Sequence, residues 1–105
     1  MAQFVVYRNA NPATREATPL MLEVQHDLLS TLATTVVIPL RPVSAMKGAI
    51  LRTLTPVVEV EGREYVLVTP ELAGVPRKAL GAPVTNMEAQ RSAVMAALDL
   101  LISGI

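Results

Sequence analysis

The 105-residue chain contains no cysteine and no tryptophan, and its aromatic residues are limited to Phe4, Tyr7 and Tyr65. Without cysteine the chain forms neither disulfides nor thiolate metal sites, and it has no thiolate nucleophile. Because aromatic side chains are so scarce, aliphatic Val, Leu and Ile must build most of the hydrophobic core.

Charge is also scarce, and it is balanced. Charged residues make up 17% of the chain, with nine basic and nine acidic side chains, whereas roughly a quarter is usual. A neutral chain without a basic cluster is not expected to bind DNA or RNA on its own. The low charge fraction instead predicts that part of the surface is covered by a protein partner or a second copy.

Long apolar runs are missing as well. No segment reaches the ~20 apolar residues of a membrane span, and residues 1–4 lack the basic flank and apolar stretch of a signal peptide. We expect a cytoplasmic protein with no membrane partner, folded as one domain over residues 1–105.

The hydrophobic pattern predicts three strands in the first part of the chain. They are residues 4–7, residues 20–25, in which apolar and polar side chains alternate as in a half-buried strand, and residues 35–40. Pro39 removes a backbone donor, so the third strand is expected to lie at a sheet edge or to end there.

A hairpin is predicted where two strand-like runs, residues 56–61 and 64–68, flank Gly62 and Arg63. The stretch from residue 70 to residue 83 is interrupted by prolines and glycines. It is expected to be loop with at most one short strand.

Two helices are predicted. The first is short, capped by Ser44, with Met46, Ile50 and Leu54 on one face, and it ends at Pro56. The second begins at a capping box that spans residues 85–88 and continues into the last residues of the sequence.

The second half of this last helix is apolar nearly all round, because beyond Val94 only Asp99 is charged. An apolar girdle predicts two buried faces, one against the sheet and one against a second copy of the chain. The residues expected in that dimer interface are Leu98, Leu101, Ile102 and Ile105. The order of elements predicts an α+β fold, a mostly antiparallel sheet or small barrel with a terminal helix.

No catalytic constellation emerges from the sequence. His26 beside Asp27 could act as an oriented base, although an exposed turn residue is the commoner role. The sequence shows no metal-ligand spacing and no glycine-rich phosphate loop, so no metal and no cofactor are expected. The residues by themselves predict a non-enzymatic interaction domain.

Six short motifs, in register along almost the whole chain, resemble the CcdB family, the toxins of type II toxin–antitoxin modules that poison DNA gyrase. The motifs are Gln3-Phe4 with Val6-Tyr7, Val24-Gln25 followed by Asp27, residues 37–40, Leu54 with residues 56–58, Ala73 with Val75-Pro76, and Gly104-Ile105. The resemblance implies an SH3-like antiparallel barrel with a long C-terminal helix, assembled as a homodimer.

The resemblance also implies partners and site residues. The dimer would bind the gyrase A subunit and trap it on cleaved DNA, a CcdA-like antitoxin would neutralise it, and the toxin–antitoxin complex would repress its own operon. The gyrase-binding positions carried over are Phe4, Tyr7, Asp99, Ser103, Gly104 and Ile105. Two of them depart from the family, which has Trp at the position of Ser103 and Asn at that of Asp99.

Two alternatives stay open at this point. Loss of the tryptophan suggests a degenerate toxin that dimerises and binds antitoxin but no longer poisons gyrase. The same barrel also carries ribonuclease toxins of the MazF and Kid type. In this chain a ribonuclease would have to draw on Arg63 or Arg77 with Asp27 and Thr35.

Overall fold

The computed structural model describes residues 2–46, 48 and 50–104. In these residues antiparallel strands form one curled sheet, a half-barrel, and an α-helix follows it, which confirms the α+β class. The elements are β1 Val5–Asn9, β2 Leu20–Glu23, β3 Thr34–Pro42, β4 Val57–Val60, β5 Arg63–Leu67, β6 Ala73–Pro76, β7 Leu80–Asn86 and α1 Arg91–Ser103. Helix α1 has 13 residues and is too short to span a bilayer. No helix among the described residues is both long and apolar enough to do so.

Strand β3 organises the sheet. The order is β4-β5-β3-β2-β1-β7, and β6 also pairs with β3. One edge of β3 pairs with β2, while the other pairs with β6 over residues 34–37 and with β5 over residues 40–42. The expectation that Pro39 marks a sheet edge is therefore wrong. Pro39 lies where the partner changes from β6 to β5, so its missing N–H interrupts neither ladder, and its carbonyl accepts the Val68 N–H at 2.9 Å.

The two faces of the sheet are both largely buried. Alternating residues of β1, β2 and β3 build the core beneath α1, and on the opposite face Met21 and Glu23 are buried too. Strand β2 is thus enclosed on both faces instead of half-buried, and it ends at Glu23. The core beneath α1 includes Phe4, Val6, Leu20, Leu22, Ile38, Leu40, Leu67 and Val94.

The predicted hairpin is present as β4 and β5, with its turn one residue earlier than expected. Val60 pairs with Arg63, so the two-residue turn consists of Glu61 (φ 52°) and Gly62 (φ 79°). Positive φ at both central positions is the signature of a type I′ turn, which matches the twist of paired strands. Glycine adopts this conformation without steric cost, whereas Glu61 is strained.

The helix predicted from Ser44 is wrong. A 3₁₀ turn covers Val43–Ala45, and the described residues between 46 and 56 contain no α-helix. Short helices need a buried face to be stable, yet Ile50 and Leu51 stay exposed. The Thr55 hydroxyl accepts the Leu51 N–H at 2.8 Å and stabilises a turn there instead.

The predicted start of the last helix is wrong by several residues. Thr85 lies in β7, paired with Val6, so the capping box does not form. Instead, the Asn86 side chain accepts the Glu88 N–H at 2.7 Å, and a 3₁₀ turn, Glu88–Gln90, leads into α1. Pairing with β1 outweighs the local capping signal, because strand β7 contacts β1 over its whole length.

Candidate functional site

The residues that carry the family motifs at the start of the chain meet at one junction. The Gln3 N–H donates to Asp27 Oδ1 at 2.7 Å, and the Gln3 side-chain amide donates to the Val24 carbonyl at 3.1 Å. The next residue, Phe4, donates its N–H to the Glu23 carbonyl at 2.7 Å. The junction therefore fixes the first residues against the end of β2 and the loop that follows it.

Phe4 lies inside this junction. Its side chain is fully buried, its φ of 69° is in the left-handed region, and its carbonyl accepts the Met87 N–H at 2.7 Å. The Arg91 guanidinium lies 5.3 Å from the centre of its ring, within cation–π range. Phe4 thus joins the sheet to the beginning of α1, and its ring is not exposed for a partner in this conformation.

Tyr7 is buried on the opposite face of the sheet. Its hydroxyl oxygen accepts the Ala2 N–H at 3.2 Å. Burial raises the pKa of Tyr7, and the negative charge of Glu23 raises it further, while the hydrogen bond from Ala2 and the charge of Arg77 lower it. Tyr7 therefore stays neutral and serves as a packing residue in the single chain.

The remaining predicted target contacts meet at the end of α1. Asp99, Ser103 and Gly104 are all exposed. The Ser103 hydroxyl donates to the Asp99 carbonyl at 2.8 Å, and Gly104 caps the helix at φ 77° with its N–H on the Leu100 carbonyl. Helical rise places this tip about 18 Å from Arg91 and the Phe4 junction, so one chain does not bring the two groups together. Ile105 lies outside the described residues.

The predicted dimer residues of α1 differ in how far their side chains are buried within the single chain. Leu98 is half-buried against the core of its own chain, and Leu101 is half-buried as well. Ile102 points away from the chain with 75% of its surface exposed. An isoleucine this exposed is the apolar side chain of α1 that is best placed for a second copy.

An exposed apolar loop follows β2 and was not predicted from the sequence. Leu28 is 84% exposed, and Leu29 and Leu32 are about half exposed. Three leucines within five residues between two predicted strands were the available signal. We call residues 28–32 the leucine loop.

Arg77 secures the leucine loop from beneath. Its Nε donates to the Leu32 carbonyl at 2.6 Å and its Nη2 to the Leu29 carbonyl at 3.1 Å. Its Nη1 forms an ion pair with Glu23 Oε2 at 3.0 Å, and the Thr35 hydroxyl donates to the same oxygen at 2.6 Å. These bonds hold the backbone of the leucine loop, while its leucine side chains remain exposed.

Two of the four residues considered for a ribonuclease site therefore lie close together, but their polar groups are bonded within the protein. Arg77 and Thr35 converge on Glu23, which the sequence analysis did not consider, and not on Asp27. The Glu23 side chain is 3% exposed and that of Arg77 is 17% exposed. Arg63 lies elsewhere, 5.7 Å from the Tyr65 ring centre. This cluster is built to hold the loop and presents no open surface to a phosphate.

His26 is an exposed turn residue, which is the commoner of the two roles considered for it. Its Nδ1 accepts the Leu28 N–H at 3.0 Å and caps a 3₁₀ turn. Asp27 accepts from Gln3 instead of orienting the imidazole. Within residues 2–46, 48 and 50–104, no three acidic or histidine side chains are grouped to hold a metal ion.

A curled antiparallel sheet followed by a C-terminal helix with an exposed tip defines a small α+β domain. The CcdB protein family matches residues 3–104 of the sequence. This chain belongs to the CcdB family.

Solved structures with the same fold are distant in sequence. A structure described as an Mtb toxin is 15% identical with a TM-score of 0.67, over 95% of this chain and 99% of its own. An endoribonuclease from a mycobacterial species, in complex with its cognate antitoxin, is 17% identical with a TM-score of 0.68, over 97% and 94%. A further structure, described as an endoribonuclease from a mycobacterial species, is 17% identical with a TM-score of 0.66, over 97% of this chain and 90% of its own. At this identity the likeness is one of fold.

Proposed function

We propose that this chain is the toxin of a type II toxin–antitoxin pair, that it acts as a homodimer on the DNA gyrase A subunit, and that a cognate antitoxin neutralises it. The observation that carries the proposal is membership of the CcdB family over residues 3–104. The toxin–antitoxin complex would also repress its own operon.

The tip of α1 is the proposed gyrase contact. Ser103 and Gly104 are exposed at its end, and Gly104 ends the helix in a left-handed conformation. Interface energy is concentrated in a few anchoring side chains. Among the described residues, Asp99, Ser103 and Gly104 are the exposed ones that the family resemblance assigns to gyrase.

Ser103 weakens this contact. The family resemblance places a tryptophan here, which stacks on a gyrase arginine, whereas the Ser103 hydroxyl is bonded to the carbonyl of its own helix. Truncating an interface tryptophan costs about 2–4 kcal/mol, which corresponds to roughly 30-fold to 1,000-fold in affinity. We therefore propose weak gyrase poisoning or, in the extreme, a dimer that binds antitoxin without poisoning.

A ribonuclease is the competing activity, and the endoribonuclease structures share this fold. Cleavage of RNA needs an acid, a base or a cation within reach of the phosphate. The convergent Arg77, Glu23 and Thr35 are engaged with one another and nearly enclosed. Their geometry supports a non-enzymatic toxin.

A gain-of-function experiment tests the proposal. The wild type, Ser103→Trp and Ser92→Trp are induced separately in bacteria, and gyrase-dependent DNA cleavage, growth and RNA integrity are measured. Ser92 is also exposed and lies at the other end of α1, so it controls for an added indole. We expect only Ser103→Trp to raise DNA cleavage and growth arrest, since the indole can stack on a guanidinium.

Two results would contradict the proposal. Strong poisoning by the wild type that Ser103→Trp leaves unchanged would place the gyrase contact away from the tip. RNA degradation that persists when residues 104 and 105 are deleted would assign the ribonuclease activity instead.

A further inference from the structure

The turn that leads into the leucine loop is capped by a histidine. His26 has an extended backbone (φ −64°, ψ 146°), and its Nδ1 accepts the Leu28 N–H at 3.0 Å. The Leu29 N–H donates to the His26 carbonyl at 3.0 Å and closes the turn. His26 is therefore an N-cap, a position at which serine, threonine, aspartate and asparagine are the usual acceptors.

A histidine cap depends on the protonation of its ring. The neutral imidazole with its proton on Nε2 keeps a lone pair on Nδ1, which accepts a hydrogen bond. In the protonated ring both nitrogens are donors, so an Nδ1–H would face the Leu28 N–H and the bond would be lost. The hydroxyl and amide oxygens of the usual caps accept whatever the pH, so this dependence comes from the choice of histidine.

The side chains around the cap differ in how they respond to pH. His26 is exposed and is the single histidine of the chain, and imidazole is the side chain that ordinarily changes its charge between pH 5 and pH 8. Two charged groups hold the same segment. Asp27 Oδ1 accepts the Gln3 N–H at 2.7 Å, whereas Arg77, paired with Glu23, bonds to the far end of the leucine loop. Carboxylates and guanidinium groups ordinarily keep their charge over this range.

Apolar burial contributes little to the stability of this turn. Leu28 is 84% exposed and Leu29 is 47% exposed. Arg77 bonds to the carbonyls of Leu29 and Leu32 and so holds the far end of the loop, whereas the His26 side chain holds the near end. Segments with few buried contacts open locally at a low cost in free energy. Loss of one cap should therefore change how often the near end opens.

We propose that His26 is a pH-sensitive cap, which orders the first turn of the leucine loop when its imidazole is neutral and releases that turn when the imidazole is protonated. Because the neutral ring makes the bond, its contribution is complete at high pH and is lost as the pH falls. The arrangement of three exposed leucines thereby comes to depend on pH. The cap needs no partner, so a failure of the proposed toxin function would leave it intact.

NMR on the full-length protein tests the cap through the exchange of backbone N–H groups with water. Each exchange rate is divided by that of an unstructured chain at the same pH, which gives a protection factor. The variants are His26→Asn and His26→Gln, which both remove the titrating ring. Asparagine places an amide oxygen where Nδ1 lies and keeps an acceptor at every pH, whereas glutamine places its oxygen one bond further out, where Nε2 lies.

We expect the protection factor of the Leu28 N–H in the wild type to fall about fivefold from pH 8 to pH 5.5, which corresponds to about 1 kcal/mol for the loss of one N-cap. In His26→Asn it should stay within twofold over this range, and in His26→Gln it should be low throughout. The imidazole ¹⁵N shifts of the wild type at pH 8 should place the ring proton on Nε2. Any one of three results would overturn the proposal: constant protection in the wild type, a neutral ring protonated on Nδ1, or the same pH dependence in His26→Asn.

Discussion

Arg77 Nη1 lies 3.0 Å from Glu23 Oε2, across 54 residues of sequence, in a nearly enclosed position between β2 and the segment after β6. The second oxygen of the same carboxylate, Oε1, is buried without a donor. Removing the cation would leave a buried carboxylate compensated only by uncharged donors such as the Thr35 hydroxyl. The stability of this region therefore depends on both members of the pair.

We expect Arg77→Met to lower the free energy of unfolding by about 3 kcal/mol, the usual cost of breaking a buried ion pair from one side. The double variant Glu23→Gln/Arg77→Met should cost less than the single variant, because no buried charge remains. Urea unfolding measures both. The exposed Arg63→Met is the control and should change stability by less than about 0.5 kcal/mol. Equal losses in the single and double variants would contradict a charge effect.

The Arg41–Glu71 pair predicts a pH dependence. Hydrogen bonds from Arg41 lower the pKa of Glu71 below its ordinary value of 4.5. Because the pKa of Glu71 is lower in the folded state, the ion pair contributes its full stabilisation above pH 4.5. This stabilisation is lost as the pH falls through the pKa of Glu71 in the folded state. We expect Arg41→Gln to flatten this part of the acid unfolding curve, by no more than about 1 kcal/mol since Glu71 is half exposed. An acid unfolding curve that Arg41→Gln leaves unchanged would contradict this role of the Arg41–Glu71 pair.

The β4–β5 turn predicts two opposite changes. Gly62→Ala places a side chain at φ 79° and should lower stability by about 1 kcal/mol. Glu61→Asn gives the residue preferred at the first position of a type I′ turn and should raise stability by about 0.5 kcal/mol, because asparagine tolerates positive φ better than glutamate. The exposed bridge from Arg8 to Glu61 at 3.3 Å, which this change removes, is worth little. Thermal unfolding of the two variants decides the sign of each.

The proposed dimer is tested by Ile102→Asp. Because Ile102 is exposed in the single chain, the substitution should leave the fold intact while burying a charge in the interface, at a cost of several kcal/mol. Light scattering at micromolar concentration should show a dimer for the wild type and a monomer for the variant. Ser92→Asp, exposed at the other end of α1, should stay dimeric. A monomeric wild type would contradict the homodimer.

Much of the sheet was predictable from the sequence because its strands carry local signals. The alternation of residues 20–25 directly predicts a strand. The glycine between residues 56 and 68 directly predicts a turn. Pro39 was misassigned because the change of strand partner at the middle of β3 depends on β5 and β6, which follow it by more than 20 residues. Thr85 was misassigned for the same reason, since its partner Val6 lies at the other end of the chain.

The site was less predictable than the fold. The tip residues Asp99, Ser103 and Gly104 share one helical turn, so the sequence places them together. The convergence of Glu23, Thr35 and Arg77 depends on two strands and a 3₁₀ turn that are far apart in the sequence, and no spacing in the sequence encodes it. Phe4 and Tyr7, which the family resemblance predicts as target contacts, are both buried in the single chain, and no local signal in the sequence shows their burial.

Strand β1 pairs with β2 on one side and with β7 on the other, and Met87 bonds to Phe4. During synthesis the first strand therefore leaves the ribosome about 75 residues before its second neighbour. Contacts between residues this distant in sequence slow folding. Until β7 has been synthesised, the unpaired edge of β1 is prone to association with other chains. Since α1 follows β7 in the sequence, the exposed tip of α1 is synthesised only after all seven strands of the sheet.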